Sequence, residues 1–165
     1  MVKDEKGKRS ILYNVNERPH HTLWKRTTLN LKECFEEGLL REYKFAKSVV
    51  DKEIVNANRH LSNACICVKD QMYDLVVVSV YTAMFHAARA ILFRDGIKER
   101  SHVCLIAYIK EKYPQLNEYA NTLDSYRESR HAMLYGLEVE AMKDDATYGI
   151  YIAKEFIEAV KKEVK

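Results

Sequence analysis

At 165 residues the chain is long enough to bury a real core and short enough for one domain. An apolar fraction of 47% and a charged fraction of 31% are those of a soluble globular protein, and five Gly and two Pro leave room for long helices. Lys plus Arg exceed Asp plus Glu by only 27 to 24, so bulk charge excludes any demand for a nucleic-acid partner and electrostatic arguments must be local.

Residues 1–28 differ from the rest of the chain. Lys3, Lys6, Lys8, Arg9, Arg18, Lys25 and Arg26 face only Asp4, Glu5 and Glu17, with no sustained periodicity, which predicts an irregular basic arm anchored by Leu23 and Trp24. The charged start, Met1 to Arg9, has no apolar core after it and does not read as a signal peptide. From residue 29 to 165 the punctuation is helical and predicts a single domain. Asn30 is placed to cap a short helix, Leu31 to Leu40, unless this piece runs into the next helix. Between Glu42 and Lys69 the residues Phe45, Val49, Val50, Ile54, Ala57, Leu61, Ala64 and Val68 recur at threes and fours, the mark of a long amphipathic helix.

The most hydrophobic helix is expected over Tyr73–Phe93, ended by Asp95-Gly96. Its apolar run, Leu75–Ala88, is interrupted by Ser79, Thr82 and His86, too short and polar for a membrane span and suited to a buried core. Ser101 caps a shorter helix, Val103–Lys112, which Tyr113-Pro114 stops. A further helix runs from Leu116 to about Tyr135-Gly136. The last opens at Asp144 or Asp145 and continues through Val164, with Ile150, Ala153, Phe156, Ile157 and Val160 inward and Lys161, Lys162 and Lys165 suiting the negative end of its dipole. Short links between long amphipathic helices predict an all-α, up-and-down antiparallel bundle of four to five main helices.

Cys34, Cys65, Cys67 and Cys104 form no CxxC pair and no zinc-ligand spacing, so the expectation is four reduced, packing cysteines in a cytoplasmic protein. No phosphate-binding glycine loop, zinc-protease motif or nucleophile elbow occurs, and His20-His21 is a weak metal lure; neither cofactor nor metal is expected.

Two polar groupings sit where apolar residues belong. In the helix after Leu116 the apolar stripe runs through Leu116, Tyr119, Ala120, Leu123, Tyr126 and Leu134. Arg127 and Arg130 project onto it, roughly 40° and 20° either side of Leu123, with His131 on its margin. A guanidinium cannot escape burial by losing its proton, so both are paired or both line a cleft that receives an anion. In the central helix Ser79, Thr82, His86 and Arg89 form a thin polar stripe. Setting the stripes opposite one another satisfies both and places one polar cleft between the two helices. Two readings remain. One is a structural network, with Arg127 or Arg130 on Asp74, Asp124 or Glu128 and His86 a hydrogen-bonded core residue. The other is a phosphate or phosphodiester site, with guanidinium forks on oxyanions and a histidine moving a proton.

The run Tyr73-Asp74-Leu75 through Tyr81-Thr82-Ala83-Met84-Phe85-His86-Ala87-Ala88-Arg89-Ala90-Ile91-Leu92, then Ser101-His102, resembles the HEPN domain family, in particular its small prokaryotic branch. Arg127 or Arg130 and Tyr135-Gly136 supply the later part of the likeness, which covers about residues 40–162. The resemblance implies a helical bundle, commonly a homodimer, with an arginine motif lining a cleft at or near the dimer interface. It implies nucleotide or RNA binding, a nucleotidyltransferase-like partner protein of toxin–antitoxin type, and no membrane. Many members are metal-independent ribonucleases marked by an arginine, four to six residues, then a histidine. Here Arg127 and His131 are separated by three residues only, and four residues after Arg130 lies Tyr135. The expected site is therefore Arg127, Arg130 and His131 for catalysis and Thr82, His86, Arg89, His102 and Tyr135 for nucleotide or RNA. The alternatives are an endoribonuclease and a non-catalytic structural or adaptor bundle.

Overall fold

The computed structural model describes residues 29–44, 46–135 and 140–165, with backbone only at 134 and 135. The predicted basic arm, Phe45 and Gly136 lie outside the described residues. The architecture is the expected all-α bundle. Its elements are α1 (Leu31–Glu36), β1 (Leu40–Glu42), α2 (Lys47–Cys67), α3 (Tyr73–Arg94), β2 (Ile97–Glu99), α4 (His102–Lys112), a 3₁₀ turn (Pro114–Leu116), α5 (Asn117–Tyr135) and α6 (Lys143–Glu163).

Helix α3 is the axis of the molecule. It packs most extensively against α2, and also against α6, α5 and α4. Val76, Val77, Val80, Ala83, Met84, Ala87, Ala88, Ala90, Ile91 and Leu92 are all fully buried, so it is covered nearly all round, as its composition requires. The buried alanines let the neighbouring helices approach closely. The helix is 22 residues, longer than its apolar run suggests, and by length and apolar content it could cross a bilayer. Burial in the bundle, rather than shortness, is what makes it a core helix.

Local signals fix the ends. The Asn30 side chain accepts from Glu33 N at 2.9 Å while Glu33 accepts from Asn30 N at 2.8 Å, a capping box. Ser101 caps α4 through Cys104 N. Gly96 ends α3 with φ of +71°, and a Cβ there would press on the Tyr43 carbonyl at 3.2 Å. Helices α5 and α6 meet where Tyr126 Oη donates to the Asp145 carbonyl at 2.8 Å. Gly149 makes that approach achievable, since a Cβ would lie 2.5 Å from Tyr126 Oη.

Three expectations change. Helix α1 stops at Glu36, and Leu40–Glu42 pairs antiparallel with Ile97–Glu99, Leu40 opposite Glu99. Three-residue strands leave no period to read. Helix α2 accordingly begins at Lys47, not Glu42. The third change is chemical: Cys34 and Cys104 form a disulfide joining α1 to α4, while Cys65 and Cys67 are free. Both bridged cysteines are fully buried, so burial alone does not distinguish packing thiols from a bond. Titration of the denatured chain without reductant should find two thiols, and four after reduction; four at the outset would refute the bridge.

Candidate functional site

Two neighbourhoods flank α3: His86 and Arg89 of its polar stripe serve one, and Tyr81 and Phe85, outside the stripe, serve the other. On the side facing α2, His86 Nδ1 lies 2.6 Å from Glu53 Oε2, and Arg89 Nη1 lies 3.2 Å from Glu53 Oε1. Glu53 belongs to the inward face of α2, at helical spacing from Val50 and Ala57, and is only 7% exposed. Arg89 Nε also approaches Glu99 of β2 at 3.0 Å, but out of line for a hydrogen bond; that N–H and Glu99 Oε2 have no hydrogen-bond partner among the described residues. The Arg89 guanidinium lies over Phe93 and Phe85, 5.0 and 5.7 Å from their ring centroids. His60 of α2 stacks on His86 at 5.3 Å. Burial, then His86 and Arg59, hold the His60 imidazole below its ordinary pKa. Two carboxylates balance Arg89, so the neighbourhood is a structural charge network.

On the other side α3 meets α4 and α5. Tyr81, 2% exposed, shares a short hydrogen bond with His102 Nδ1 at the start of α4. The Phe85 ring packs on His102 at 4.2 Å and on Tyr81 at 6.1 Å. From α5 the Arg130 guanidinium lies 5.2 Å from the Tyr81 ring centroid. Burial drives the Tyr81 phenol up to about 12 against the opposing pull of Arg130 and Arg127, so it stays protonated at neutral pH. The His102 imidazole is pushed down, first by burial and then by Arg130, Arg127 and Arg89, and is neutral there. The result is an exposed histidine and two arginines around a buried tyrosine and a half-buried phenylalanine.

Arginine pairing separates the two neighbourhoods. Arg127 is held by Asp124, with Nε at 2.9 Å and Nη2 at 2.8 Å, and by Glu128 at 3.5 Å. Arg94 is tied to Asp95 in a separate structural cluster with Tyr108 and Tyr113. Arg130 has no carboxylate partner among the described residues. Neither α5 arginine is fully buried: Leu116, Ala120, Leu123 and Tyr126 form the buried stripe, and Arg127 and Arg130 border it.

The single cleft expected between the two stripes is therefore only half formed. Arg127, Arg130 and His102 gather around Tyr81, whereas His86 faces α2 and Arg89 is bound by carboxylates, touching the cluster through Phe85. Thr82 Oγ1 donates to Val78 O of its own helix at 2.7 Å. His131 is exposed on α5. The Tyr135 side chain lies outside the described residues. Sequence reading missed Glu53 and gave Tyr81 and Phe85 no site role. Glu53 carried the same signal as the arginines, a charge at helical spacing within an apolar stripe.

A family model for the HEPN domain matches residues 51–163, more than half of the chain and every residue of both neighbourhoods. The chain belongs to the HEPN domain family. It is also similar to the Methanocaldococcus jannaschii protein named "Putative toxin MJ0142", 24% identical over 123 residues that cover 70% of this chain and 82% of the relative.

The geometry sets two outcomes. Glu53→Ala leaves Arg89 and His86 around a buried site without their shared carboxylate and should cost about 3–5 kcal/mol in urea denaturation. A cost under about 1 kcal/mol on the same measurement contradicts the network. The depressed pKa values of His60 and His102 set a pH dependence. As pH falls through the unfolded value of 6.5, the unfolded chain takes up protons at these positions before the folded chain does. Stability should therefore fall between about pH 7 and 5, and less so in a His60→Gln, His102→Gln double variant.

Proposed function

We propose that this protein binds nucleotide or RNA through the face formed by α3, α4 and α5, with Arg130 as the principal phosphate contact and Arg127 as its neighbour. The observation that carries the reading is the contrast among the arginines of α3 and α5: Arg89, Arg94 and Arg127 are matched by carboxylates, and Arg130 instead rests on the Tyr81 ring beside an exposed His102. A guanidinium placed over an aromatic ring, with no carboxylate to occupy it, keeps N–H donors for a phosphate, and the adjoining Phe85 and His102 rings suit an unstacked base. The family and the relative's name support a toxin–antitoxin setting; in this reading the protein acts on RNA as a homodimer in the cytoplasm, paired with a nucleotidyltransferase-like protein. Residues 29–165 act as one binding unit in this reading.

A second reading, metal-independent ribonuclease, is favoured by one further observation. A neutral imidazole lies within the field of both α5 arginines, the ingredients of phosphodiester transesterification.

Binding is tested by fluorescence anisotropy with a labelled transfer-RNA transcript over a salt series. Arg130→Ala should weaken binding about tenfold or more and lower the salt slope by about 0.7–0.9, the loss of one phosphate contact. Arg94→Ala, away from this face, should bind like the parent. Equal loss in both variants, or in neither, removes the proposed face.

A further inference from the structure

We propose that residues 1–28 are a second RNA-binding element, whose Lys25 and Arg26 contact phosphates of the same RNA that Arg130 holds. The inference rests on the RNA-binding reading of the α3–α4–α5 face and extends it to a segment outside that face. It starts from how charge is divided along the chain. Residues 1–28 hold seven of the 27 lysines and arginines but only three of the 24 aspartates and glutamates. That leaves residues 29–165 with 20 basic against 21 acidic side chains, so the whole positive excess of the protein belongs to the arm.

The division matters because of what the face itself offers. RNA is held largely through the number of phosphates that lysine and arginine neutralise, each releasing its counterions. Of the three arginines whose charge acts on His102, Arg89 is matched by Glu53 and Arg127 by Asp124. Arg130 has no carboxylate partner among the described residues. One such guanidinium places a phosphate but does not hold a strand. Residues 29–165, acidic by one charge, add no net attraction at longer range. The arm carries the missing cations, and Trp24 beside Lys25-Arg26 supplies a ring on which a base can stack.

Covalent geometry ties the arm to the face. It joins the described residues at Leu29, next to Asn30, the N-cap of α1. One turn further on, Cys34 is bonded to Cys104 of α4, their Cα atoms 5.7 Å apart. His102, which lies on the face, precedes Cys104 by two residues in the same helix. Helix dimensions then keep Asn30 within about 17 Å of His102. The four steps from Arg26 to Asn30 span at most about 14 Å. Lys25 and Arg26 are therefore leashed close to the rim of the face, at the point where an RNA backbone passing Arg130 and His102 needs further cations.

The test titrates the full chain with a transfer-RNA transcript and reads two signals. Trp24 is the single tryptophan of the chain, so its emission reports on the arm directly. RNA should change that emission with the same midpoint as the anisotropy of labelled transcript. Over a salt series the Lys25→Gln, Arg26→Gln double variant should bind about tenfold or more weakly, and its salt slope should fall by about 1.4–1.8, the loss of two phosphate contacts. Lys162→Gln, Lys165→Gln removes the same charge at and just beyond the end of α6, which takes no part in the face, and should bind like the parent. A parent-like slope in the arm variant, an equal loss in the α6 variant, or Trp24 emission unmoved by saturating RNA overturns the proposal. A parent-like slope joined to a lower melting temperature also overturns it, and marks the arm as docked on acidic groups of the bundle. Arg130→Ala in the same series separates this proposal from the reading beneath it. Loss with Arg130→Ala but not with the arm variant leaves the face and removes the arm. Loss with the arm variant alone removes the face and, with it, the shared site. A parent chain that does not bind removes both.

Discussion

Everything in this bundle depends on one buried carboxylate. Glu53 reaches from α2 to the central helix and takes both His86 and Arg89, and Arg89 passes the connection on to Glu99 in the ribbon. An arginine cannot shed its charge when buried, so removing that carboxylate would leave Arg89 short of a partner at the most extensive helix pairing of the fold. Helix α3 can be apolar over nearly all its surface because its few polar groups are answered here.

The balance on one flank of α3 defines the imbalance on the other. Toward α2 the positive charge is matched by carboxylates. Toward α4 and α5 Arg127 is matched by Asp124, but Arg130 is carried over the Tyr81 ring, where a cation is stabilised without being neutralised. A single helix thus separates a closed network from an open cationic face, and the boundary is Phe85, which touches His86 and Arg89 on one side and His102 and Tyr81 on the other.

The bundle is legible in the sequence because its long helices announce themselves by spacing and its ends by capping residues. Asn30, Ser101 and Gly96 each act where their chemistry predicts. Partners across the fold are not legible. The period of α5 shows Arg127 and Arg130 near the core, but whether the nearest carboxylate comes from the same helix, as Asp124 does for Arg127, depends on side-chain reach that a helical wheel does not contain. The polar stripe of α3 gives no sign of the second neighbourhood, which is built on Tyr81, outside the stripe and about 140° around the axis from His86. Glu53 hides among the apolar members of its own stripe. The ribbon and the disulfide escape for a shared reason: both join segments far apart in sequence, and neither short strands nor isolated cysteines carry a local pattern.

The Cys34–Cys104 bond, with its ends 70 positions apart, closes a covalent ring. That ring holds Glu53, His60, Tyr81, Phe85, His86, Arg89, Glu99 and His102. The arginines of α5 stand outside it. A chain that keeps the bridge therefore searches far fewer arrangements to bring the α2–α3 network and the Tyr81–His102 pair together, because their loop is already closed. The arginines must come in from an unconstrained segment. Assembly of the cationic face then becomes the docking of a helix from outside the ring onto a pre-joined half.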